Sequence, residues 1–97
     1  MGQEPLNQVT EKSWYVYIIE CQNDALYTGV TNDLARRMKT HKSGKGSKYV
    51  RANGFRELLH AIKVDTKSEA LKLEYKIKQL KRNDKITFFM QHDGQQF

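Results

Sequence analysis

Tyr15–His41 reads YVYIIECQNDALYTGVTNDLARRMKTH, and the fold of the chain turns on this stretch. From Trp14 to Glu20 the run WYVYIIE is aromatic and β-branched, the composition of a strand. Alternation puts Tyr15, Tyr17 and Ile19 on one face and Trp14, Val16 and Ile18 on the other. Both faces are apolar, which predicts a central strand covered on both sides. Asn23-Asp24 marks a turn, and Ala25–Val30 returns as an antiparallel partner. Gly29 within that short strand signals a bulge or a close backbone approach. Thr31-Asn32-Asp33 then offers three candidate caps for a helix from Leu34 to Lys42. Leu34 and Met38, one turn apart, can face the core. Arg37 and His41 form a second such pair beside them.

Outward from this unit, Ser43-Gly44-Lys45-Gly46-Ser47-Lys48 is a glycine-rich basic loop followed by Tyr49 and Arg51. Phe55–Val64 reads as a third strand, less cleanly alternating than the first. Lys67–Leu80 is a helix with Ala70, Leu73, Ile77 and Leu80 on one apolar stripe, opened by a Thr66/Glu69 capping box. Glu74 sits on the shoulder of that stripe, an unusual place for a carboxylate. After Asn83-Asp84, Lys85–Met90 adds a short helical piece. The order β-β-α-β-α with a short C-terminal helix predicts an α+β domain, a small three-stranded antiparallel or mixed sheet flanked by helices. Residues 1–12 are expected to be a disordered leader, 13–90 one domain, and 91–97 a flexible tail.

At 97 residues one domain with a modest core is expected. Hydrophobic residues make up 38% and mean hydropathy is −0.78, so no segment approaches the roughly 18 apolar residues that span a bilayer. The segment MGQEPLNQVTEK has neither the basic nor the apolar region of a signal peptide. The single cysteine, Cys21, has no internal disulfide partner, which fits a reducing cytoplasm. Seventeen Lys and Arg against eleven Asp and Glu give a net charge of +6, which favours an anionic partner, nucleic acid first. Cys21, His41, His60 and His92 lack zinc spacing. The GKGSK run is not a nucleotide-binding P-loop.

Phosphodiester hydrolysis needs a deprotonated water, neutralised phosphate oxygens and, usually, a divalent cation. Tyr17 or Tyr27 can act as the base only with a cationic or basic neighbour, because a free phenol titrates near pH ~10. Arg37 and His41 are such neighbours, and the Arg37 fork matches a phosphate oxygen pair. Glu74 can hold a hard cation through oxygen and water ligands. Each residue alone has a plainer explanation. The tyrosines can be core aromatics with their hydroxyls at the rim, and His41 can complement a helix dipole. Arg37 can be solvated, and Glu74 can pair with Lys78. The spacing of the set is what distinguishes it.

That spacing resembles the GIY-YIG nuclease superfamily. Tyr15-Val16-Tyr17 stands for GIY and Tyr27-Thr28-Gly29 for YIG, with Arg37 and His41 following and Glu74 in the later helix. The resemblance covers about Trp14 to Arg82 and is nearest the stand-alone single-domain bacterial members. It is more distant to the catalytic domains of the excision-repair nuclease and of Holliday-junction resolving enzymes. Tyr15 replaces the glycine of GIY and Thr28 the isoleucine of YIG, neither of them a chemical position. The resemblance implies Tyr17 as the base or base-assisting phenol and Tyr27 as the group that orients or activates water. It implies Arg37 at the phosphate, His41 supporting a tyrosine, and Glu74 binding one magnesium or manganese ion. Asn83 is a weak match to a late asparagine of some members. From charge alone, Arg36, Lys39, Lys45, Lys48 and Arg51 are expected to face nucleic acid.

The expected function is a metal-dependent DNA endonuclease of repair or recombination, preferring branched or flapped DNA to a defined sequence. The alternatives are a non-catalytic nucleic-acid-binding module and a nuclease subunit that needs a protein partner.

Overall fold

The computed structural model describes residues 13–92 and 95–96. Its elements run β1 (Trp14–Cys21), β2 (Leu26–Thr31), α1 (Leu34–Lys42), α2 (Lys48–Asn53), β3 (Phe55–Val64), α3 (Lys67–Lys78), α4 (Arg82–Gln91) and β4 (Gln95–Gln96). The sheet order is β2-β1-β3-β4, antiparallel throughout, so β1 is interior and β2 is an edge. The α+β expectation holds, with three principal strands.

The apolar residues on both faces of β1 explain its central place. Val16 and Ile18 are fully buried in one layer with Ile62, Ala70, Ile77 and Phe89, beneath α3 and α4. Tyr17, Ile19 and Cys21 are buried in the other with Val50 and Ala61, beneath α1 and α2. Leu34 and Met38 pack on this second cluster, as their spacing requires. The imperfect alternation of β3 has a geometric cause. Its register against β1 slips between Ile18 and Ile19 and again between Glu20 and Cys21, so Leu59 and Arg56 are extra residues in the ladder. The first slip lets Leu59 and His60 both reach the α3/α4 layer, where His60 stacks on Phe89 at 6.2 Å.

Helix starts follow their caps. Asp33 accepts from the Arg36 N–H at 3.2 Å, and Thr66 accepts from the Glu69 N–H at 3.1 Å. Glu69 reaches back to the Asp65 N–H at 3.1 Å, one residue earlier than a strict capping box. Three helices depart from the sequence reading, α3 only in ending at Lys78, two residues before the expected Leu80. The basic loop ends in α2, a six-residue helix that Ser47 opens by accepting from the Tyr49 and Val50 N–H groups at 3.1 and 3.4 Å. Six residues with one buried side chain, Val50, carry too little periodicity to announce themselves. The C-terminal helix starts at Arg82, three residues before the expected Lys85. Arg82 donates to the Asp24 carbonyl at 2.6 Å and lies 3.7 Å from Glu20, contacts that tie the first turn of α4 to the β1–β2 turn.

The leader, 1–12, lies outside the described residues. Within 91–97, expected as a flexible tail, Gln91 closes α4 and Gln95–Gln96 pair with Ala61 and His60 of β3. Among the described residues no helix is long and apolar enough to cross a membrane.

Phe89 is fully buried where α4 meets the sheet. Phe89→Ala should cost about 3–5 kcal/mol in urea unfolding. A loss under about 1 kcal/mol would show that α4 does not anchor this layer.

Candidate active site

The antiparallel register sets Tyr17 opposite Gly29 and Ile19 opposite Tyr27, so both phenols project from the α1/α2 face of the sheet. Gly29 is required for their approach. A Cβ there would stand 2.5 Å from Tyr17 Oη, a distance real side chains essentially never show, and a tight 3.0 Å from Tyr27 Cε2. The rings lie 6.4 Å apart, centroid to centroid. Helix α1 crosses above them on its Leu34 and Met38 anchors, and the next turn delivers His41. His41 is 2% exposed, and its Nε2 lies 2.8 Å from Tyr17 Oη in a buried hydrogen bond. Its ring is 5.8 Å from Tyr17 and 5.5 Å from Tyr27, edge-on to both.

The electrostatics keep this pair neutral at rest. Burial pushes the Tyr17 phenol up to about 12; Arg37 opposes the rise, while Tyr27 and Glu74 add to it. Burial, with a smaller push from the Arg37 charge, lowers His41 to about 4. At neutral pH a protonated phenol therefore faces a neutral imidazole. Arg37 has only donors to offer Tyr17 Oη, so the phenol proton goes to the one acceptor present, His41 Nε2. The imidazole proton then sits on Nδ1, which is buried and has no partner among the described residues. Gly46 covers that nitrogen, since a Cβ on it would stand 2.5 Å from His41 Nδ1.

Tyr17 is 1% exposed, whereas Tyr27 is half-buried and stacks on Tyr49 at 5.9 Å. Tyr49 is itself 45% exposed. Tyr27 is thus the phenol nearer solvent. Glu74 comes from α3, on the opposite layer, and its charge is felt at Tyr17. Its carboxylate is partly shielded and pairs with Lys78 Nζ at 3.3 Å, the plainer partner already implied by the i, i+4 spacing.

Tyr17, Tyr27, Arg37 and His41 come together, with Glu74 at their margin. The five cations assigned to nucleic acid are all exposed and fall in two groups. Arg36 and Lys39 lie on α1, where Arg36 and Arg37 share a polar cleft of about 350 Å3 with Thr31, Asn32, Asp33 and Thr40. Lys45, Lys48 and Arg51 lie on the loop and α2. Asn83 is exposed in the first turn of α4, and among the described residues no hydrogen bond joins its side chain to the site. Tyr49 and Gly46 belong to the site without being singled out by the sequence. Their signal is the loop itself, whose glycine and serine close over His41 and start α2.

Residues 13–87 match the GIY-YIG catalytic domain, most of the chain. The protein belongs to the GIY-YIG family. Its relatives include a UPF0213 protein of Cupriavidus necator, 47% identical over 84% of this chain and 88% of that one. Another UPF0213 protein, of Oceanobacillus iheyensis, is 47% identical over 78% and 88%. The solution NMR structure of EF2693 from E. faecalis is 36% identical and superposes with a TM-score of 0.59, covering 82% of this chain and 85% of that one. The GIY-YIG domain implies nuclease-type activity, and GIY-YIG nucleases generally depend on a divalent metal. The donor set fits a hard cation that keeps most of its water. Glu74 is the carboxylate whose charge is felt at Tyr17, and among the described residues no group of three or more His, Cys, Asp or Glu could form a closed cage.

Because the folded state resists protonating His41, stability is full above pH ~6.5 and declines as pH falls toward 4. His60, also lowered by burial, adds to the same slope. Melting curves of His41→Gln should therefore show a shallower decline across this window than wild type; equal slopes would contradict the burial-driven shift. Gly29→Ala should lose about 1–3 kcal/mol by forcing Tyr17 aside. An unchanged unfolding midpoint would mean the phenol moves freely.

Proposed function

We propose that this protein is a metal-dependent DNA endonuclease that hydrolyses phosphodiester bonds and selects DNA by structure rather than sequence. The observation that carries the reading is the buried Tyr17–His41 hydrogen bond, with Arg37 acting on the same phenol and Tyr27 beside it. A binding surface alone has no use for a fully buried phenol–imidazole pair.

In this reading Tyr27, the half-buried phenol, orients the attacking water. Tyr17 receives a proton from that side of the site and passes its own to His41 Nε2, which the resting pair leaves free to accept one. The raised Tyr17 value means no standing phenolate exists; added positive charge must first draw the phenol down. Arg37 supplies part of that charge and screens the developing oxyanions. Glu74 would hold one magnesium or manganese ion, which when bound supplies Lewis-acid charge to the phosphate. Arg36, Lys39, Lys45, Lys48 and Arg51 follow the DNA backbone, so affinity falls steeply with salt. Such contacts carry little base information, and branched or flapped DNA of repair or recombination is the natural substrate. A buried free thiol at Cys21 suits a reducing cytoplasm.

The Glu74–Lys78 ion pair favours a second reading, a nucleic-acid-binding module whose carboxylate is structural. A fluorescent panel of single-stranded, duplex, flap and four-way-junction DNA separates the two when run with magnesium, manganese or EDTA. Metal-dependent cutting is expected, reduced at least a hundredfold in Glu74→Ala while binding in EDTA is kept. Binding without cutting in every metal would support the module, and cutting restored by cell extract a partner-dependent subunit. Tyr17→Phe should retain the fold and lose turnover, and normal turnover would remove the phenol from the chemistry. Arg37→Ala should lose cleavage with at most a small drop in melting temperature.

A further inference from the structure

Lys78 closes α3 one turn beyond Glu74, and its ammonium has two neighbours. Its Nζ lies 3.3 Å from Glu74 Oε2 and 6.0 Å from the centroid of the Tyr27 ring. The Glu74 side chain is 20% exposed and that of Lys78 49%, so the pair sits at the mouth of the site, the carboxylate inward and the ammonium outward. Among the described residues, no other salt bridge reaches Glu74. Lys78 engages only Oε2, but a hard cation on either oxygen would stand within a few ångströms of the ammonium, so the two compete for one carboxylate's charge.

We propose that Lys78 is a positioning residue that occupies Glu74 as a built-in substitute cation, holding the carboxylate in place and weakening metal binding until DNA arrives. The inference rests on the reading of Glu74 as the metal ligand. Its logic is electrostatic. A single exposed i, i+4 pair is weak, so Lys78 can be displaced rather than locking the site. Like charges a few ångströms apart repel, so a metal and the ammonium do not share one carboxylate comfortably. A substrate phosphate beside Tyr27 gives the released ammonium a new partner and removes the conflict. Metal and DNA then bind with positive coupling, each favouring the other. The chain would thus avoid holding a charged hydrolytic centre when no DNA is present.

The experiment is a titration of free protein with Mn2+, followed by the spin-resonance signal of the unbound ion, for wild type, Lys78→Met, Lys78→Arg and Glu74→Gln. It is repeated with an uncleavable phosphorothioate DNA. Lys78 is half exposed at a helix end, so Lys78→Met, which keeps the aliphatic stem, should fold; thermal melting checks this. Lys78→Met should bind Mn2+ roughly three- to tenfold more tightly in the absence of DNA. Lys78→Arg should return to the wild-type value, and the gain in Mn2+ affinity on adding DNA should shrink in Lys78→Met. Equal Mn2+ affinity for wild type and Lys78→Met, with Glu74→Gln weakened, would overturn the proposal and leave the function of Glu74 intact. Equal affinity for wild type and Glu74→Gln would overturn both.

Discussion

The candidate site depends on one hydrogen bond that crosses between layers, from Tyr17 on the central strand to His41 on the helix above it. Everything near it is arranged around keeping that bond dry. Gly29 gives the phenol its space from below, and Gly46 lies against the far side of the imidazole. Leu34 and Met38 set the height of the helix so that the next turn reaches the phenol. Dryness has a chemical effect: it raises the phenol and lowers the imidazole, so a pair that would be mildly reactive in water is held neutral. A neutral pair is a reservoir. In the proposed mechanism it waits for charge supplied by Arg37 and by a cation on Glu74.

On that mechanism the fold brings the charge from the other side. The phenols and the imidazole belong to the α1/α2 layer, whereas Glu74 belongs to α3 in the opposite layer. They meet at β2 because it is an edge strand, and because Tyr27, on that strand, lies near Lys78 of α3. An interior strand would have walled the two layers apart.

Much of this was legible in the sequence, for specific reasons. WYVYIIE is apolar on both faces, and only an interior strand satisfies that pattern. Leu34–Lys42 and Phe55–Val64 fall between caps and turn residues that fix their ends. Tyr17, Tyr27, Arg37 and His41 stood out as candidates because their joint spacing resembles the GIY-YIG pattern; strand alternation and helical spacing alone left each with a plainer explanation. The short helix α2 was not legible. Ser47 creates it through two local hydrogen bonds, and such capping leaves no periodic trace. Nor did the sequence reveal that Tyr17 is buried while Tyr27 is only half-buried, since the difference follows from the sheet order, which places Tyr17 on interior β1 and Tyr27 on edge β2. Glu74 was visible as an oddly placed carboxylate, but whether it met metal or Lys78 depended on side-chain geometry.

Drawing the carboxylate and the phenols from opposite layers has a consequence for the life of the chain. The two hydrophobic clusters share only the sheet, and a half-assembled molecule with one cluster formed carries half the chemical groups. With α1 docked and α3 loose there is a phenol–imidazole pair and no carboxylate; in the reverse case there is a carboxylate and no such pair. On the proposed mechanism, hydrolytic competence is therefore a property of the finished fold.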